Sequence, residues 1–189
     1  RNAESIIKAN DLRDRYGLDT IAAGRAIAIA MECYEKGIIS KKDSDGIELT
    51  WGNPSAMVTM VEKIGKREGI GDVLADGVKR AAERIGKGAE DCAIHVAGQE
   101  PGMHDPRLIP YRGIGYISAQ APGRHMVSMG PFRLATEGKL GSSPDLKAPE
   151  GENELDKNGK FQAMGVSYAQ AFSDSGLCLM VLSSGNDYP

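Results

Sequence analysis

The sequence predicts an all-α protein, a multihelical array in two subdomains, and three observations carry that expectation. Apolar residues recur at helical spacing through most of the chain's first half. Aspartate, asparagine and an Asn-Pro pair stand where helices would begin, and glycines stand where they would end. Glycine is abundant at 24 residues while aromatics make up 5%, a composition suited to many tight helix ends.

Residues 3–15 form the first expected helix, with Ile6, Ile7, Ala9 and Leu12 as its apolar candidates. Gly17 suits the left-handed position just past that helix, and Asp19 suits the N-cap of the next. The second helix, Thr20–Lys36, is apolar nearly all round, the mark of a buried helix. "KKDSDGIELTWGN" is a turn-rich connector with one short strand over Ile47–Thr50. Asn53-Pro54 is a helix start, followed by Met57, Met60, Val61 and Ile64 at helical spacing. Asp72 caps a further helix, whose stripe of Leu74, Val78, Ala81 and Ile85 ends at Gly86. "CAIHVAG" reads as a short extended piece.

Proline and glycine become denser from Gly102, which places a boundary near residue 100 and gives subdomains 1–100 and 101–189. Within the second, residues 105–135 read as a loop, a short helix over Gly113–Ala119, a break at Pro122-Gly123 and a segment from His125. Residues 139–160 are polar and turn-rich, a long surface loop or insertion. A last helix over Ala163–Ser173 leads into "SDSGLC". There are no heptads, and the one internal echo is Gly-Leu followed by an acid at Asp19 and by a thiol at Cys178.

Composition narrows the function. A net charge of −3 argues against a nucleic-acid or anionic-membrane surface, since both demand clustered cations. The N-terminus is polar and lacks the apolar core of a signal peptide. The longest apolar run, Ile21–Met31, includes Arg25 and is shorter than the roughly 20 residues a membrane crossing needs. Three cysteines, Cys33, Cys92 and Cys178, lie far apart with no CxxC, pointing to a reducing, cytoplasmic setting. A chain that opens on Arg and stops at "GNDYP" reads as a piece of something longer. A P-loop, a GxGxxG following a strand and a GxSxG elbow are all missing.

Two readings fit "DRYGLDT" at Asp14–Thr20. One is helix punctuation: a glycine end, a leucine packing back and an aspartate cap. The other uses the same turn, whose backbone groups and carboxylates can accept the amino and ring N–H groups of a heterocycle such as a pterin. Cys178 is either a buried inert thiol or a thiolate ligand to an iron–sulfur cluster. Such a cluster takes four cysteines and the three here are not at ligand spacing, so if Cys178 is a ligand the others lie outside these residues. His95 sits in an apolar stretch and reads as a core residue, and His104 in "HDPR" as a turn cap. His125 follows the break in "QAPGRH", where a titrating side chain can face a cavity.

The chain resembles the tungsten-containing aldehyde ferredoxin oxidoreductase family, over almost its whole length, in that family's helical second and third domains. "NDLRDRYGLDTIAAG" looks like the stretch carrying the family's first pterin motif, D-x-x-G-L-D. "AMECYEKGII", "REGIGDVLADGVKRAAERIG" and "HDPRLIPYRGIGYISAQAPGRH" follow in family order, and "SGLCL" matches the end of a second motif, D-x-x-G-L-C. The resemblance implies that Asp14, Gly17, Leu18 and Asp19 contact one pterin of a bis-pyranopterin cofactor holding tungsten or molybdenum. It implies that Gly176 and Leu177 contact the other, that Cys178 is the last thiolate of a [4Fe-4S] cluster, and that His125 lies near the metal and is catalytic. One departure stands out: three places before Gly176 is Ser173, and the acid comes one later, at Asp174, so either the turn is remodelled and Asp174 takes over the contact or this pterin is held more weakly. The family's first domain, its CxxCxxxC ligands, its magnesium-bridging residues and a glutamate beside tungsten would precede Arg1.

The activity so implied is oxidation of an aldehyde to a carboxylate, with electrons leaving through the cluster to ferredoxin and a homodimer as the assembly. A second reading keeps the fold and makes the substrate an aromatic thioester or other carboxyl derivative, which is reduced. A third is a helical scaffold without cofactor. The isolated chain is expected to be inactive.

Overall fold

The computed structural model describes residues 2–107, 110–125 and 155–176. The chain divides into two compact units, Arg1–Pro101 and Gly102–Pro189.

The first unit begins with α1 (Ala3–Tyr16), capped by Asn2, whose side chain accepts from the Ser5 amide at 2.9 Å. Its C-terminus closes at Gly17 with φ +66°, and the Leu18 amide reaches back to the Arg13 carbonyl at 2.9 Å. Of the apolar candidates on this helix, Ala9 and Leu12 are buried. Ile6 and Ile7, at 54% and 69% exposure, are not. They occupy a face that no element of the first unit covers among the described residues, so apolar character alone misjudged the inward side.

α2 (Thr20–Glu35) starts on the Asp19 cap, with Asp19 Oδ1 accepting from the Ala22 amide at 2.7 Å. It buries Ala23, Ala26, Ile27, Ile29, Ala30, Met31 and Cys33, as an all-round apolar helix must. The connector that follows carries no strand at 47–50. Its carbonyls find side chains instead of a neighbouring strand. The buried Ser44 hydroxyl donates to the Ile47 carbonyl at 2.7 Å, and Asn53 Nδ2 donates to the Glu48 carbonyl at 3.0 Å. Leu49, fully buried, pins the segment to the core.

α3 (Pro54–Lys66) starts on Asn53 with Pro54 in its first turn, and buries Ala56, Met60, Val61 and Ile64. α1 packs along it where Gly65 lets the Tyr16 ring lie flat against the helix; a Cβ there would overlap the ring. α4 packs on α3 through Gly71, whose missing Cβ makes room for the Lys63 backbone.

The single helix expected from Asp72 to Gly86 is two: α4 (Ile70–Leu74) and α5 (Val78–Ile85). The break falls at Gly77, φ +88°, and its cap arrives from far along the chain. Glu100 Oε1 accepts from the Val78 amide at 2.6 Å, a partner that local sequence could not announce. Asp72 lies inside α4 rather than capping it, and instead ties the two helices through Arg84, Nη2 to Oδ2 at 2.8 Å. Leu74, Val78 and Ala81 are nonetheless buried, and Ile85 packs against the core's edge. A 3-10 turn, Ala89–Cys92, follows. The extended piece expected at 92–98 reduces to one isolated bridge, Val96 with Gln99. His95 is exposed there, not a core residue; its Nδ1 accepts from the Gly98 amide at 3.3 Å within a turn.

In the second unit, α6 (Pro110–Ser118) packs against α7 (Leu155–Asp174). Residues 155–160 therefore belong to a helix and not to the loop expected over 139–160. Gly159 and the polar run "LDKNGK" resemble a turn locally, yet the helical register extends through them and nothing obstructs Gly159. Residues 139–154 lie outside the described residues. Tyr116, 4% exposed, anchors α6 by donating to the His104 carbonyl at 3.1 Å.

Candidate functional site

The GLD turn between α1 and α2 is helix punctuation, and it also opens onto a cleft. Gly17, Leu18 and Asp19 line a space of about 230 Å³ together with Ala22, Ala23 and Ala26 of α2 and with Ile64, Leu74, Ala75 and Gly77. Alanine and glycine make up most of this lining, so the walls stay back and leave a slot with an apolar floor. The lining also brings in Asp19, Gly17 and Leu18 and the first turn of α2, whose amides concentrate partial positive charge. Of Asp19's two oxygens, Oδ1 is committed to the Ala22 amide.

Two contacts fix this turn in place. Tyr16 on Gly65 holds the end of α1 against α3. Arg13 spans the junction, its Nε donating to the Ala9 carbonyl at 3.2 Å and its Nη1 to the Thr20 carbonyl at 3.4 Å. Asp14 sits one turn back on α1, exposed, and is not part of the cleft wall. The structure thus brings three of the four first-motif residues together and leaves Asp14 on the approach.

In the second unit the end of α7 repeats the local geometry of the end of α1. Gly176 has φ +78°, the Ser175 amide donates to Ala171 and the Gly176 amide to Ser173, each at 3.1 Å. The echo in the sequence is therefore a conformational one: a left-handed glycine closing a helix ahead of a leucine. Ser173 turns its hydroxyl back onto the Ala169 carbonyl at 3.0 Å, while Asp174 Oδ1 accepts from Gln170 at 2.7 Å. Of the two, the side chain bearing an exposed carboxylate is Asp174. Leu177 and Cys178 lie outside the described residues.

His125 is half-buried and packs on the backbone of Gly102; a Cβ at that glycine would come within 2.8 Å of His125 Cγ and 3.1 Å of Nδ1. The His104 ring is its neighbour, centroids 5.5 Å apart and planes inclined by 40°. His104 is thus a ring partner of His125. The capping falls to Asp105, which accepts from the Arg107 amide at 2.9 Å. The Arg107 guanidinium beside Asp105 then holds its carboxyl down at about 2. Sequence reading missed Gly102, Tyr116 and the ring pairing, because nothing local marks a glycine chosen for an imidazole packed on it from across a loop. Among the described residues no three His, Cys, Asp or Glu side chains gather as a metal site, and no helix is long and apolar enough to cross a membrane.

Each of the two units closes a helix on a left-handed glycine, Gly17 in the first and Gly176 in the second. The model of aldehyde ferredoxin oxidoreductase, domains 2 and 3, matches residues 1–188, and the chain belongs to that family of oxidoreductases. It is 42% identical over 123 residues to the tungsten-containing aldehyde ferredoxin oxidoreductase of Pyrococcus furiosus, covering 65% of this chain and 20% of that protein. The Pyrococcus abyssi enzyme of the same name is 40% identical over 125 residues, with the same coverage. A Pyrococcus furiosus aliphatic sulfonate oxidoreductase, WOR-like subunit, is 40% identical over 128 residues, covering 65% of this chain and 20% of that protein. Among solved structures, the BamBC active-site complex of benzoyl coenzyme A reductase with a dienoyl-CoA superposes with a TM-score of 0.52 at 26% identity. That match covers 79% of this chain and 22% of the other. The chain thus spans about a fifth of the length of the curated relatives it matches.

Proposed function

We propose that the full-length protein oxidises aldehydes to carboxylates, and that this chain supplies one grip on a bis-pyranopterin cofactor together with a proton-handling histidine. The observation that carries the reading is the small-walled slot lined by Asp19 and the Gly17–Leu18 turn. A flat heterocycle edge rich in N–H groups needs carbonyl and carboxylate acceptors beside a shallow apolar wall, and those features are present. Gly17, Leu18 and Asp19 would hold one pterin edge, with Asp14 beside the entrance. Asp174, Gly176 and Leu177 would hold the other pterin, and Cys178 would complete the ligands of a [4Fe-4S] cluster. When bound, the tungsten or molybdenum centre supplies the two-electron oxidation, and the cluster passes electrons singly towards ferredoxin.

The protein's own part is orientation and proton traffic. Asp19 keeps one oxygen on α2 and offers the other to a donor in the slot, so a ligand bound there is aligned by the same side chain that starts the helix. His125, braced on Gly102, would take or return the proton of the substrate oxygen at Nε2, the ring nitrogen away from the glycine contact. Purified full-length protein with bound tungsten that turned over no aldehyde would sink this reading.

The similarity to the benzoyl coenzyme A reductase complex favours a second reading, in which the same fold reduces an aromatic thioester. Parallel assays with aldehydes and with aryl-CoA substrates separate the two. Native protein free of tungsten, molybdenum and iron would instead favour a scaffold without cofactor.

A further inference from the structure

Outside the slot, the first unit buries two thiols that the proposed chemistry does not use. Cys33, near the end of α2, is fully buried, and Cys92, at the end of the 3-10 turn, is 4% exposed; both are reduced. They belong to one apolar cluster, and α2 packs directly on the turn that carries Cys92. The turn is held by the Ala93 amide on the Glu90 carbonyl, and the end of α2 by the Ile38 amide on the Cys33 carbonyl. Over this pair lies Lys36, whose ammonium donates to Cys92 Sγ at 3.5 Å and to Glu32 Oε1 at 2.7 Å. Its side chain is 49% exposed, so Cys92 lies one side chain below solvent on that side.

We propose that Cys33 and Cys92 are a hydroperoxide-responsive dithiol that closes to a disulfide, stapling α2 to the 3-10 turn. The two sulfurs differ in the way such a reaction requires. Burial first, and then the neighbouring Cys92, push the Cys33 thiol up to about 12, so Cys33 stays protonated. Cys92 is the one with a partner on the solvent side, its Sγ accepting from the Lys36 ammonium at 3.5 Å, so it is the sulfur placed to attack. Cys92 thiolate attacks one oxygen of the hydroperoxide; an S–O bond forms, the O–O bond breaks, and the departing alkoxide or hydroxide takes a proton from water. The Cys33 sulfur then displaces hydroxide from the sulfenic acid, losing its own proton, so that water leaves and the S–S bond forms. The peroxide gains two electrons and the thiol pair loses two.

The test uses full-length protein purified without oxygen, exposed to hydrogen peroxide, alkylated, digested and mapped by mass. The expected product is a peptide pair joined through Cys33 and Cys92, abolished by dithiothreitol and absent from Cys92→Ser. Lys36→Met, a surface change that leaves the core alone, should slow its formation about threefold to tenfold. Recovery of both residues as alkylated thiols, sulfinic acid at Cys92 beside reduced Cys33, or an unchanged rate in Lys36→Met would each overturn the proposal. The readout is peptide mass, so damage to any metal centre does not move it.

Discussion

The His125 ring lies against the Gly102 backbone, so that a single methyl at position 102 would sit 2.8 Å from its Cγ. Glycine is required there for space and not for an unusual backbone angle. Gly102→Ala must push the imidazole aside, away from His104 and from any substrate it serves. In the full-length enzyme, turnover should fall at least tenfold while tungsten and iron content hold. Metal analysis beside steady-state rates checks this.

His125→Ala removes the proposed proton carrier outright. The expected loss in turnover is about a hundredfold or more, with metal content intact. Undiminished turnover in a fully loaded variant would remove His125 from the chemistry.

Asp19 has two roles that separate by substitution. Asp19→Ala loses the cap on α2 and should cost about 1 kcal/mol of stability as well as cofactor. Asp19→Asn keeps an oxygen for the Ala22 amide but loses the charge at the slot. It should melt close to wild type yet copurify with less tungsten and pterin. Equal cofactor content in Asp19→Asn and wild type would show that the carboxylate does no more than cap.

Asp45 joins three segments, its Oδ2 accepting from Lys63 Nζ and from the Ile70 amide, both at 2.9 Å. Those two bonds, Lys63 first, hold its carboxyl below the ordinary aspartate range. The folded value lies below the unfolded one, so the stabilisation is present above that value and is lost as pH falls through the folded one. Asp45→Ala should cost about 1–2 kcal/mol near neutrality. The difference in melting temperature from wild type should shrink as the buffer is taken from about pH 6 towards pH 3.

Gly71 and Gly65 both admit a neighbour, but of different stiffness. At Gly71 the obstacle is the Lys63 backbone, whereas at Gly65 it is the Tyr16 side chain, nearest at Cγ and Cδ2, which yields only by turning about its Cα–Cβ bond. Gly71→Ala should therefore destabilise by about 1–3 kcal/mol and Gly65→Ala by less, measured by denaturant unfolding. Comparable losses would show that the Tyr16 ring is as fixed as the backbone.

The class of fold, the α1–α2 turn and the caps at Asp19 and Asn53 were legible because each rests on residues within a turn of one another. Gly17 and Gly176 could be paired from sequence because a left-handed helix end has a local signature. The break at Gly77 was not legible, since its stabilising carboxylate is Glu100, and neither was the strand-free course of 47–50, which Ser44 and Asn53 settle with side-chain bonds. His95 misled because its apolar neighbours suggested burial, while the turn at Gly98 leaves it outside.

By itself, then, the sequence determined that the chain is helical and where most helices begin and end. Those are matters of spacing and capping, decided over three or four residues. Only the tertiary structure decided that alanines of α2 and small residues of the turns around it leave a slot beside Asp19, that an imidazole rests on Gly102, and that Cys33 meets Cys92. These depend on which distant surfaces pack together, and packing is set by the volume left between helices rather than by the order of residues along any one of them.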